Sequence, residues 1–175
     1  MELHQIIGDK RILDYITSGN ATFTVINEIT KGRFTYKFVK QKRSGRFDCK
    51  ILTRKNNECE SSYRFIGMYS KTHGYCWSAK SGIKSSSVSN LALDWFMFNL
   101  KEEKLSRYPQ VKVYYSGSCG ICGRKLTVPS SLKSGFGSKC EKIGIMNGTI
   151  IISDKNIDGD LIKNYKNLKQ MELFN

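Results

Sequence analysis

The chain has 175 residues, 39% of them hydrophobic and 25% charged, with 29 basic against 15 acidic side chains and a net charge of +14. That balance suits one folded domain, or one domain with a small satellite, and excludes a disordered chain. No stretch approaches the roughly 18 apolar residues of a membrane span, and the opening MELHQIIGDK lacks the apolar core of a signal peptide, so the expected compartment is the cytosol, with no membrane partner.

Ile12, Leu13 and Ile16 recur at helical spacing. A short helix is expected from Asp9 to Ile16, capped by Asp9 and ended by Gly19. The pattern then changes to a period of two. Thr22–Asn27 alternates around Phe23 and Val25. Arg33–Lys40 sets Phe34, Tyr36 and Phe38 on one face. Phe47–Thr53 and Tyr63–Tyr69 repeat the device, and His73–Ala79 reads as a fifth strand. Turns at Gly32, Ser44-Gly45 and Asn56-Asn57 make this an antiparallel meander.

After the serines at 85–87, the residues Val88, Leu91, Ala92, Trp95, Phe96 and Leu100 form an apolar stripe at helical spacing. This central helix is expected to cover the sheet as a second layer. Gln110–Tyr115 reads as a further strand, Thr149–Ile152 as another, and Leu161–Leu173 as a final amphipathic helix. No internal repeat or long linker is visible. The expected organisation is a basic sheet-plus-helix domain over 1–108, a metal knuckle over 109–148 and a tail over 149–175.

The knuckle rests on sulfur. Cys119-Gly-Ile-Cys122 is followed, after 17 residues, by Cys140. Two thiolates at this spacing can grip one tetrahedral ion from a single tight turn, and a third sulfur that far downstream suits the next ligand of a zinc site. A closed structural site takes four ligands. The candidates for the fourth are His73, Cys76, Cys59, Cys49, His4 and Glu141, none at local spacing. Tyr115 is a poor ligand because its phenol titrates near 10. Gly120 and Gly123 let the loop fold tightly, and Ser138 is placed to cap a short helix carrying Cys140. Free buried cysteines, disulfides and a catalytic zinc with an open position are the alternatives. The last lacks the upstream glutamate of the nucleobase deaminases.

The run Cys119-Gly-Ile-Cys122-Gly-Arg-Lys-Leu-Thr-Val-Pro129-Ser-Ser131, then Gly135-Phe-Gly137-Ser-Lys-Cys140, resembles a small uncharacterised domain family common in bacteriophage proteins. Its pattern is C-x-x-C-G-R-x-L-T-x-P-x-S, then G-x-G-P-x-C. Gly32-Arg-Phe-Thr-Tyr-Lys37 is similar to the first part of the same phage proteins. The resemblance implies zinc binding and phage origin, without a defined activity. The chain departs from the pattern at Ser138, where the family carries proline. Family members often place a histidine shortly before the first cysteine, and here Tyr115 holds that position.

Ten basic residues lie between Lys31 and Lys55, with Asp48 the only acid among them. Lys40-Gln-Lys-Arg-Ser-Gly-Arg46 reads as an exposed basic hairpin tip able to reach phosphates. Lysines guarding a sheet edge are the plainer explanation. Phe34, Tyr36 and Phe38 belong to the core rather than to a stacking platform. Arg124 and Lys125 add a second basic point beside the knuckle. There is no Walker loop, nucleophile elbow or H-E-x-x-H motif, and no enzyme is expected.

These features predict an α+β protein: an antiparallel sheet packed by a central helix, with a C-terminal zinc-ribbon or treble-clef-like knuckle. Zinc is expected on Cys119, Cys122 and Cys140, and phosphate contact on Lys40, Lys42, Arg43, Arg46 and Arg124. The expected function is that of a phage-encoded nucleic-acid-binding accessory protein acting on DNA or RNA. The alternative is a phage inhibitor whose basic face occupies an acidic or nucleic-acid-binding surface of a host protein, such as a defence nuclease, a CRISPR effector or the transcription machinery.

Overall fold

A computed structural model describes residues 3–54 and 59–146. In chain order the elements are β1 (His4–Ile6), α1 (Asp9–Ile16), β2 (Asn20–Asn27), β3 (Arg33–Lys40), β4 (Phe47–Leu52), β5 (Tyr63–Ser70), β6 (Gly74–Trp77), α2 (Val88–Lys101), β7 (Val111–Tyr115), α3 (Pro129–Ser134) and α4 (Ser138–Met146). Single 3-10 turns sit at Glu60–Ser62 and Leu105–Arg107. The fold is α+β. Its sheet has seven strands in the order β1-β7-β2-β3-β4-β5-β6, and every neighbouring pair is antiparallel. The expected turn at Asn56-Asn57, strand at Thr149–Ile152 and helix at Leu161–Leu173 lie outside the described residues.

The meander β2 to β6 forms where the period-two pattern runs. Phe23 faces Tyr36, and Ala21 faces Phe38. Tyr36 and Phe38 are buried with Phe47, Cys49 and Ile51 of β4. Rings pack edge to face across the strands, with Phe23 and Phe38 5.3 Å apart. One register differs from expectation. A bulge between Cys49 and Lys50 shifts the pairing to β5. Phe65 then pairs with Lys50 and Tyr63 with Leu52, whereas Tyr69 pairs with Phe47. The bulge therefore turns Tyr63 and Phe65 to the face opposite Tyr69, because one extra residue inverts the alternation. On that face Glu60 bonds both Lys37 (2.5 Å) and Lys50 (2.6 Å).

Helix α2 begins at Ser87, whose hydroxyl accepts the Asn90 N–H at 3.3 Å. Such a cap stabilises by about 1 kcal/mol. The buried side of α2 is Asn90, Leu93, Phe96, Met97 and Leu100. Phe96 lies 6.0 Å from Phe23 in ring-centroid distance. The hydroxyls of Tyr36 and Tyr75 donate to Ser89 O and Asn90 Oδ1. This corrects the stripe read from spacing. Val88, Leu91 and Trp95 are exposed, and Leu93 and Met97 take their place. The helix carries apolar residues around most of its circumference, so periodicity left two faces nearly equivalent.

Helix α1 matches its expected limits, but Asp9 does not cap it. Gly8 occupies the N-cap position. The Asp9 carboxylate instead accepts from Leu105 N (2.9 Å) and Ser106 N (3.4 Å), satisfying the start of the 3-10 turn after α2. In the β2–β3 turn the positive φ falls on Lys31, at 58°, rather than on Gly32. β1 is three residues long and was not anticipated. It pairs with β7, which also pairs with β2. The boundary drawn near Pro109 thus falls just before a strand inserted between β1 and β2.

Candidate metal centre

Strand β7 ends at Tyr115 and delivers the chain into a minute hairpin. Leu126 N donates to Gly117 O (2.7 Å), and Ser118 bridges Lys125. Cys119 N donates to Arg124 O (2.8 Å), and Gly123 N to Cys119 O (2.8 Å). This folds Cys119 and Cys122 back onto one point. Gly123 has φ 76°, in the left-handed region that favours glycine, and a Cβ there would sit 2.7 Å from Asn20 Nδ2. The chain then forms α3, with Pro129 as its first residue and Gly135 closing it at φ 83°. Gly137 follows, and its N–H points at the Cys119 sulfur, 3.4 Å away. Cys140 lies in the first turn of α4.

The sulfurs of Cys119, Cys122 and Cys140 all lie within 4.8 Å of one another. Cys119 is buried, Cys140 partly buried and Cys122 exposed. Three soft donors this close, on a knuckle and a helix start, form a set that could hold a metal ion. Burial and then the neighbouring thiols push Cys140 up to about 12. Burial also raises Cys122, but the Arg124 backbone N–H, hydrogen bonds with Cys140 and Cys119, and the Arg124 charge together leave it below its ordinary value. The opposite shifts follow from the crowding of the sulfurs: neighbouring S–H groups favour the Cys122 thiolate, and a second negative charge beside it is disfavoured at Cys140.

Among the described residues, no fourth histidine, cysteine or carboxylate joins the group. Cys49 is buried in the middle of the sheet, while Cys59 and Cys76 are exposed, the one just before the 3-10 turn at 60–62 and the other on β6. His73 sits in the β5–β6 turn beside Thr72. His4 packs on Tyr115 with ring centroids 5.4 Å apart. Glu141 is raised by burial, against a hydrogen bond from Ser134 and the charge of Arg11. Tyr115, set aside above as a poor ligand, donates its hydroxyl to Leu132 O.

The knuckle is seated on α1 through Tyr15. Its hydroxyl donates to Ser118 O at 2.9 Å, and its ring lies 5.0 Å from Tyr115 and 5.9 Å from Phe136. Sequence spacing could not expose this role, because the partner of Tyr15 lies 103 residues further along the chain. Gly120 and Gly135 pass so close to the Tyr15 ring that a Cβ on either would stand about 3 Å from it. Gly19 plays a similar part rather than ending α1 in a left-handed turn. A Cβ on Gly19 would meet Ile121 O at 2.7 Å.

Of the expected phosphate contacts, Lys40, Lys42, Arg43, Arg46 and Arg124 are all exposed. The first four flank or occupy the β3–β4 turn, closed by Gln41 N to Arg46 O (2.7 Å) and Gly45 N to Gln41 O (3.1 Å). Asp48 is held by Gln41 Nε2 at 2.6 Å.

Residues 112–143, which take in all three clustered cysteines, match a family of unknown function, DUF6011. No curated protein and no solved structure matches the chain. Among the described residues, no helix is long and apolar enough to cross a membrane.

Proposed function

We propose that Cys119, Cys122 and Cys140 hold a structural zinc ion, and that the protein is a phage-encoded accessory factor that binds nucleic acid. The convergence of the three sulfurs within 4.8 Å carries the metal half of this reading. Their donor chemistry fits zinc, and the N–H from Gly137 to the Cys119 sulfur supports a thiolate ligand. Two ligands on a knuckle and one in the first turn of a helix favour a treble-clef-like arrangement over a ribbon, which would bring its second ligand pair on another hairpin. A structural role fits the position of the site, whose knuckle follows β7 and is fastened to α1 by Tyr15. Phage origin rests on the resemblance of the cysteine motif.

The nucleic-acid half rests on the exposed cations of the β3–β4 turn together with Arg124 beside the knuckle, and on a net charge of +14. The test is an electrophoretic mobility shift with bare DNA and RNA at increasing salt. Binding that weakens steeply with salt supports the reading. Weak, salt-insensitive binding, together with a host protein that co-purifies from lysate, replaces it with the host-inhibitor reading.

A further inference from the structure

The fold gathers basic segments that are distant in sequence onto one end of the sheet. Lys40 N donates to Gly19 O (2.7 Å), and Asn20 N donates to Gly120 O (2.6 Å). The β3–β4 turn is thereby tied through the start of β2 to the cysteine knuckle, whose own turn rests on the Asn20 side chain at Gly123. On the other side, Lys40 pairs with Phe47, Phe47 with Tyr69, and Tyr69 with Tyr75. The β5–β6 turn, with exposed Lys71, therefore stands at the same end. Lys101, at the C-terminus of α2, reaches that turn and donates to Thr72 O at 3.5 Å. The acid nearest the β3–β4 turn, Asp48, is already bonded to Gln41.

We propose that this rim, formed by the turns at 41–46, 71–73 and 123–125, docks on the phosphate backbones of a B-form DNA duplex without reading base sequence. The inference rests on the nucleic-acid reading above and narrows it to one form of ligand. Two observations select the duplex. First, from the start of β2 to the β5–β6 turn is three strand spacings, or about 14 Å. That is close to the ~12 Å width of the B-DNA major groove, so separate turns can meet phosphates on both strands, whereas the major groove of an RNA duplex is deep and narrow. Second, none of the three turns carries a Phe, Tyr or Trp, and Phe23, Tyr36, Phe38 and Phe47 nearby are buried. A single-strand site relies on exposed rings that stack on bases. Contacts made only by Lys and Arg to phosphate position a protein but carry no sequence information.

The test is fluorescence anisotropy of the full-length protein. The probes are a labelled mixed-sequence DNA duplex, an RNA duplex of the same sequence and the single DNA strand alone, each titrated across a salt series. The DNA duplex is expected to bind more tightly than the RNA duplex, whose major groove is deep and narrow, and more tightly than the strand. With roughly five phosphate contacts, affinity falls about 20-fold each time salt doubles. Replacing Lys42 and Arg43 by Ala should reduce the slope of log affinity on log salt by about 2, and so should replacing Arg124 and Lys125. Lys84→Ala, in the loop at the opposite end, should leave it unchanged. Tighter binding to the RNA duplex or to the single strand overturns the DNA-duplex assignment while leaving nucleic-acid binding intact. An unchanged slope in either double variant overturns the shared rim. Failure of all three probes to bind removes the broader reading as well.

Discussion

The hydroxyl of Tyr15 donates to the carbonyl of Ser118, 2.9 Å away, joining the last turn of α1 to the residue just before Cys119. This bond fastens the knuckle to the core instead of leaving it as a loop beyond β7. Tyr15→Phe keeps the ring packing against Tyr115 and Phe136 but leaves the Ser118 carbonyl without this donor. A loss of about 1 kcal/mol is expected. Tyr15→Ala removes the ring as well, and a loss of 3–5 kcal/mol is expected, roughly that of a buried aromatic truncation. Urea denaturation of both variants checks the difference.

The glycines around Tyr15 leave room for the knuckle to close. A Cβ on Gly120 would stand 2.5 Å from Ser18 Oγ and 3.0 Å from the Tyr15 ring. Gly120→Ala should therefore destabilise the protein by roughly 1–3 kcal/mol. Gly82→Ala meets nothing within 4 Å and should be close to neutral. Thermal melts of the pair separate close packing from a general dislike of alanine.

The β2–β3 turn holds Lys31 at φ 58°, a conformation that disfavours a side chain by about 1 kcal/mol. Lys31→Gly relieves this but loosens the unfolded chain. A small net gain, about 0.5 kcal/mol, is expected in chemical denaturation. A loss of stability would mean that the lysine side chain itself holds the turn.

Glu60 is held below its ordinary carboxyl range, first by its hydrogen bond to Lys37 and then by that to Lys50. An acid with a depressed folded-state pKa adds stability that is present above its unfolded value of 4.5 and is lost as pH falls through the folded value. Glu60 itself is exposed, so solvent screens both ion pairs and Glu60→Gln should cost less than about 1 kcal/mol at neutral pH. The gap between wild type and variant should close progressively below pH 4.5. Denaturation curves at several pH values measure it.

The antiparallel meander was legible because Phe34, Tyr36 and Phe38 alternate with Arg33, Thr35 and Lys37, and only one face can be buried. The limits of α1 and α2 followed from their spacing. Other features were hidden because they depend on partners distant in the chain. Asp9 looked like a local cap, but its acceptors are used 96 and 97 residues away, at Leu105 and Ser106. The bulge at Cys49/Lys50 leaves no mark in composition, yet it decides which face Tyr63 and Phe65 occupy. The face of α2 was ambiguous because Leu91, Leu93, Trp95 and Met97 are all apolar, and only the sheet chooses among them. In the cysteine site, C-x-x-C spacing named the knuckle, and the glycines around 135–137 marked the approach to Cys140. The support from Tyr15 and from Gly19 carries no local signature.

The most direct test of the account is the metal content of the purified, reduced, full-length protein, measured by mass spectrometry and followed by cobalt substitution. The account predicts one zinc per chain and, with cobalt, the intense absorption of tetrahedral thiolate ligation. It also predicts that Cys119→Ser, Cys122→Ser and Cys140→Ser each lose metal while Cys49→Ser and Cys76→Ser retain it. A folded wild-type protein with no bound metal, or one whose metal is indifferent to the three clustered sulfurs, would contradict it.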